Sequence, residues 1–273
     1  MEQIKEIKKV LIGWQEFNGA SLLVGGNANL ITPDLQATVN AAILAIQNRP
    51  NYVNPVDIVS DPEPELEEYI QQFWLQLDTL PYSHQGFVVK LVDIGNVCTV
   101  QPVVECIQSK ERTKEIAPND FLAMARICLS KPSTMGILGN YDANKKSYSF
   151  SSPNPNLQIL TPHADQGFFG FAVGVSNSFV QVVKCNGRYF LRDGNHRAYG
   201  FLANNVRKIP VLYREFHTIG EMGLPAGLFP IETLIGNKPP LLSDFLDDTV
   251  STTAEFLRPT KVVIIQGLEI LTT

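Results

Sequence analysis

The pattern of apolar and polar positions changes character twice along the chain. Through residue 80 the spacing is helical. Ile4, Ile7, Leu11 and Ile12 fall on one face of a first predicted helix. A second is predicted after Thr32-Pro33, where the hydroxyl can cap and proline suits the first helical position. Leu35, Val39, Ala42, Ile43 and Ile46 then recur at helical spacing. A third follows Asp61-Pro62, and its early Glu63, Glu65, Glu67 and Glu68 suit the positive end of a helix dipole.

From residue 86 the period shortens. Gly86 to Val92 predicts a strand and Asn119 to Leu129 a short helix. Lys131 to Asn156 is rich in Ser, Pro, Asn and Gly and reads as a long loop or an insertion. Leu157–Leu160 and Phe168–Val175 predict buried strands. The clearest local signal is Phe179–Lys184, then Asn186-Gly187, then Tyr189–Leu191. Asn-Gly between two β-rich runs predicts a hairpin, because both residues tolerate the positive φ of a type I′ turn. Residues 217–273 carry Pro225, Pro230, Pro239, Pro240 and Pro259, short helical pieces and a last strand, Lys261 to Gln266. They read as an irregular extension packed on the core.

Length and charge narrow the classes. The chain has 273 residues, 44% of them hydrophobic, with 22 Lys+Arg against 27 Asp+Glu and a net charge of −5. That is enough apolar chain for a real core and excludes an intrinsically disordered polymer. The acidic surplus argues against a general nucleic-acid coat, which needs clustered cations. The most apolar stretch, Phe168–Val175, falls far short of the roughly 20 residues a spanning helix needs. The N-terminus carries charges throughout and lacks a signal-peptide core. Cys98, Cys106, Cys128 and Cys185 show no metal or redox spacing and read as reduced core thiols of a cytoplasmic protein.

Chemistry concentrates in Arg192-Asp193-Gly194-Asn195-His196-Arg197-Ala198-Tyr199-Gly200-Phe201-Leu202, followed by Lys208-Ile209-Pro210-Val211-Leu212-Tyr213. This parses as strand, tight turn, helix, turn, strand. Asp193 is expected to cap the helix, Asn205 to end it in the left-handed conformation, and Pro210 to open the next strand. A helix start offers free N–H groups and the positive end of a dipole, and Gly194 permits close backbone approach. Arg192 and Arg197 add charge, and their planar forks suit phosphate. Asp193 would repel phosphate, so it is expected to cap, to bind Mg²⁺ or to act as a base.

These residues resemble the signature of the ParB/sulfiredoxin superfamily, whose members carry a Gly-x-x-Arg turn between a strand and a helix and then an "iPv" strand. The match covers about residues 178–216, with a weaker echo from Val92 to Leu129 around Gln101-Pro102. The resemblance implies an α+β fold with a mixed sheet at 86–216, flanked by a helical region at 1–80 and an extension at 217–273. It implies phosphate or nucleotide contacts at Gly194, His196 and Arg197, to which the residues themselves add Arg192 and Asn195. It also implies candidate catalytic roles for Asp193 and His196, and Mg²⁺ with ATP, ADP or CTP as cofactor. The partner would be a small phosphorylated ligand. The catalytic cysteine of sulfiredoxins and the turn glutamate of ParB proteins are both replaced by Asn195. The first replacement disfavours sulfinic-acid reduction, and the second, with no helix-turn-helix following, disfavours chromosome partitioning. A DNA-associated protein or nuclease is a third, less favoured reading that the acidic balance counts against. A Mg²⁺-dependent phosphotransferase or hydrolase and a catalytically silent binding protein remain the two expectations.

Other motifs carry bland readings. His163 and Asp165 are expected to hydrogen-bond each other, and His84 and His217 stand alone. Val24-Gly25-Gly26-Asn27 lacks the Lys-Ser/Thr of a P-loop, and Gly167-Phe168-Phe169-Gly170 opens no helix. A Cys185/His196 nucleophile is conceivable but disfavoured, with Cys185 at the hairpin edge.

Overall fold

The computed structural model describes residues 5–130, 136–154, 156–160, 163–165, 168–176, 178–224 and 229–267. The first predicted helix is a strand, β1 (Lys5–Leu11), which pairs antiparallel with Val103–Glu105 so that Val10 faces Val103. Seven residues are too few for a stable isolated helix, and a run of Ile and Val serves a half-buried sheet equally well. The next two predictions match. Helix α1 (Gly19–Leu23) precedes α2 (Pro33–Asn48), where the Thr32 hydroxyl accepts the Leu35 N–H at 3.2 Å. A short strand, β2 (Val59–Ser60), leads to α3 (Glu67–Trp74), which carries Glu67 and Glu68 in its first turn, and to α4 (Leu80–His84).

The predicted strand after Gly86 is β3 (Val88–Asp93), followed by β4 (Cys98–Thr99), β5 (Val103–Glu105), α5 (Ile107–Thr113) and α6 (Phe121–Cys128). The stretch read as a long loop instead contains an antiparallel hairpin, β6 (Leu138–Asp142) and β7 (Ser147–Ser152). Its alternation is carried by Tyr141, Tyr148 and Phe150 among small polar residues, which composition alone masks. Short pairs follow: β8 (Leu157–Ile159) with β11 (Val173–Val175), and β9 (His163–Asp165) with β10 (Phe168–Gly170).

The predicted hairpin is β12 (Gln181–Cys185) and β13 (Arg188–Asp193), turning through Asn186 at φ 51 and Gly187 at φ 77. Helix α7 (Asn195–Ala203) comes next, ending near Asn205 at φ 61, and then β14 (Lys208–Phe216). Pro210 is the third residue of β14, not its first. It is tolerated because β14 there pairs only with β3, and β12 joins two residues later at Leu212. The C-terminal region holds α8 (Ile231–Ile235), β15 (Ser251–Leu257) and the predicted last strand, β16 (Lys261–Gln266).

The fold is mixed α+β. Its largest sheet has the order β2-β3-β14-β12-β13-β4, with β12 parallel to β14 and antiparallel to β13. Phe179, Val182, Phe190, Leu191, Val211 and Leu212 are buried around it, so the central strands read as nearly continuous apolar runs. A second sheet has the order β15-β1-β5.

Contacts divide the chain into two compact units along lines other than the predicted 1–80, 86–216 and 217–273. One comprises residues 5–130 and 179–256 and holds both sheets. The other is drawn from residues 131–178 and 257–267, and in it β16 pairs with β7. Hydrogen bonding cuts across the predicted boundaries, because β1, β2 and β15 from the flanking regions complete sheets of the larger unit.

Candidate functional site

The turn after β13 is built around Gly194. Its backbone sits at φ 80, ψ 21, in the left-handed region that costs other residues about 1 kcal/mol or more. An added Cβ would lie 2.7 Å from the Val180 Cα, so the glycine is also required by packing. The predicted cap is different from the one formed. Asp193 remains the last residue of β13, and its carboxylate accepts the Gly194 N–H at 2.6 Å, while Gly194 is the N-cap of α7.

Several helix starts are closed by side chains, whereas α3, α4 and α8 have no side-chain cap. Thr32 caps α2 and Asp120 caps α6. At α5, the Glu105 carboxylate accepts the N–H groups of Ile107, Gln108 and Ser109 at 2.8, 2.9 and 2.8 Å. Helix α7 has no side-chain cap, so its first-turn N–H groups depend on another acceptor.

The polar side chains of the turn serve neighbouring backbone and side chains. Asn195 is buried, and its Oδ1 accepts the Thr99 hydroxyl at 2.8 Å. Its Nδ2, also buried, has no hydrogen-bond partner among the described residues. His196 Nδ1 accepts the Glu105 N–H at 2.8 Å. Enclosure, with Lys8 and Arg197 adding repulsion, lowers the imidazole pKa from its usual 6.5. The residue keeps an exposed surface, so water softens the burial effect. The direction stands on the hydrogen bond as well, since a protonated ring has no lone pair for the Glu105 N–H. At neutral pH the ring is uncharged.

Arg197 is partly buried. Its guanidinium donates to the carbonyls of Ile127 and Cys128 at 3.1 and 3.4 Å, satisfying the last turn of α6. Arg192 is partly buried above the Phe87 ring, 5.8 Å from its centroid. Helix α7 is held against α5 by Gly200, where an added Cβ would lie 2.2 Å from the Ser109 carbonyl oxygen.

The six predicted residues are therefore contiguous but divided in role. Asn195, His196 and Arg197 fix the turn to β4, β5 and α6, whereas Gly194 and Arg192 remain the groups suited to an anion. Glu105 and Thr99 are the partners that sequence reasoning missed. Their only signal was position in the weaker echo before Leu129, because hydrogen bonding across about 90 residues leaves no local pattern.

Other motifs resolve simply. Cys98, Cys106, Cys128 and Cys185 are free and buried. Burial raises the Cys185 thiol above its ordinary pKa, which opposes thiolate chemistry there. Gly25 and Gly26 form a turn at φ 62 and φ 83, and Asp61 at the acidic helix start pairs with Lys90. Thr161, Pro162 and Gly167 lie outside the described residues, as do the side chains of His163 and Asp165. A cavity of about 240 Å³ lies at the opposite end of the β12–β13 hairpin, lined by Asn54, Cys185, Asn186 and Arg188. Among the described residues no three His, Cys, Asp or Glu side chains gather at one point, and no helix is long and apolar enough to cross a membrane. At the turn Asp193 is the single carboxylate. One carboxylate suits Mg²⁺ only when phosphate oxygens of a ligand complete its shell. Comparison of the chain with protein-family models, curated proteins and solved structures gives no match.

Proposed function

We propose that this protein binds a small phosphorylated ligand or nucleotide at the first turn of α7, in the manner of the ParB/sulfiredoxin type that its turn resembles. The observation that carries this reading is the buried, unpartnered Nδ2 of Asn195 in the first turn of a helix with no side-chain cap. A buried donor without an acceptor costs about 1–3 kcal/mol, and an anion that reached it from the uncapped turn would remove that cost. Gly194 lets the ligand approach the backbone, and Arg192 supplies charge. Mg²⁺ would enter with the phosphate oxygens, with Asp193 as its protein ligand.

Binding without turnover is the better supported of the two expectations. The His196 ring is neutral and engaged by Glu105, and Arg197 is engaged by α6. That leaves Asp193 as the turn's sole candidate base. Calorimetry with ATP, ADP, CTP and inorganic phosphate, each with Mg²⁺, tests the reading. We expect saturable binding of at least one, with the backbone amide resonances of Asn195 and His196 shifting in parallel. Absence of heat across the panel would overturn it. Arg197→Ala is a poor control, because it strips donors from the end of α6; Arg192→Ala is the informative variant.

A further inference from the structure

The arginine that precedes the turn has a second one beside it. Strands β13 and β14 flank β12, and Arg192 sits at an irregularity in the β12–β13 register. Gln181 pairs with Asp193 and Val182 with Leu191, so Arg192 is the extra, unpaired residue. Bulges of this kind re-aim a side chain. Arg214 on β14 lies opposite Val183. Both guanidiniums lie over the Phe87 ring, at 5.8 and 6.0 Å from its centroid, and Arg214 is in electrostatic reach of Arg192; the Arg214 guanidinium also lies 4.3 Å from the Phe216 centroid. Phe87 and Phe216 are buried, and both arginines are partly buried.

We propose that Arg192 and Arg214 form a two-armed clamp for a phosphate group, seated over Phe87. Among the described residues neither arginine forms an ion pair. Glu215, next along β14, is taken by Lys184 at 3.3 Å and by the Tyr213 hydroxyl at 2.6 Å. Among the described residues the other ionisable groups in electrostatic reach of Arg192 are Tyr82 and Asp193, and the Asp193 carboxylate accepts the Gly194 N–H. One carboxylate against two guanidiniums leaves a cationic surplus on an apolar floor.

Two like, partly buried charges sharing a buried ring oppose folding unless something compensates them. An oxyanion compensates both. Each planar fork can hold two oxygens, so two forks present more donors than a single carboxylate can use and match the oxygens of a phosphate. The clamp rests on side chains of the sheet and does not require the α7 turn to bind anything.

The test is side-chain ¹⁵N NMR of the full chain, titrated with inorganic phosphate and, in a second arm, with AMP. Sodium chloride at equal ionic strength is the blank. We expect the Nε–H resonances of Arg192 and Arg214 to shift together and saturably. Tighter response to AMP identifies a nucleotide's phosphoryl group as the source, and equal response identifies the phosphate alone. Arg214→Gln is expected to weaken binding about tenfold or more, and Arg214→Lys, which keeps charge but loses the fork, to weaken it as well. Thermal melting without phosphate should show Arg214→Gln no less stable than the parent, because like-charge repulsion is relieved. Arginine resonances that do not saturate, or a folded Arg214→Lys variant that binds like the parent, would overturn the clamp. Shifts confined to the Asn195 and His196 amides would also overturn it while sparing the α7 reading. Shifts confined to the two arginines would sustain the clamp and sink the α7 reading alone.

Discussion

His196 shows how a side chain selected for its chemistry in the sequence can acquire a different role in the fold. Its Nδ1 receives the Glu105 N–H, a bond available only to the neutral ring. Because the folded pKa lies below the unfolded value of about 6.5, the unfolded state binds the extra proton first. The stability from this bond is therefore fully present above pH 6.5 and is lost as pH falls through the depressed folded pKa. Chemical denaturation from pH 7.5 downward should show that loss. His196→Asn, whose amide oxygen can take over the acceptor role, should flatten the slope in that window. An unchanged slope in the variant would remove His196 as its source. At the same scale Gly194 was legible from sequence, since a glycine between strand and helix announces a positive φ. The uncapped helix start and the orphaned Nδ2 of Asn195 were not legible, because an unmade hydrogen bond has no sequence pattern.

Helices α5 and α7 approach so closely that Gly200 is a packing requirement. Its position in the interior of α7 is unfavourable by propensity and becomes intelligible only through the Ser109 carbonyl of α5. Gly200→Ala should raise helix propensity yet destabilise the protein by about 1–3 kcal/mol, because the Cβ must push α5 away. Urea unfolding monitored by far-UV circular dichroism measures this, and a stabilised variant would contradict the close approach. Elements with a local cause were readable in advance. Helix α2 has its Thr32 cap and proline, and the β12–β13 hairpin has its Asn-Gly turn. Strand β1 was misread because its apolar spacing fits both periods, and the choice was made by partners 90 or more residues away.

Over the whole molecule, residues distant in sequence complete each unit. Strand β16 near the end of the described chain pairs with β7, and β15 and β1 belong to one sheet. Hydrogen exchange should reflect this arrangement. Residues 138–152 and 261–266 are expected to lose protection together, as one cooperative group separate from residues 181–193. Mass-spectrometric exchange resolving these segments checks it, and independent exchange of 138–152 and 261–266 would argue against their pairing. By itself the sequence determined the α+β character, the buried reduced thiols, the β12–β13 hairpin and the strand–glycine–helix turn. Each of these is set by local backbone preference, or by composition. Only the tertiary structure decided how the two units divide the chain, that Asn195, His196 and Arg197 brace the turn, and that Arg192 and Arg214 both lie over Phe87. Those outcomes depend on which strands become neighbours, and pairing across long stretches of chain is governed by packing of the whole core.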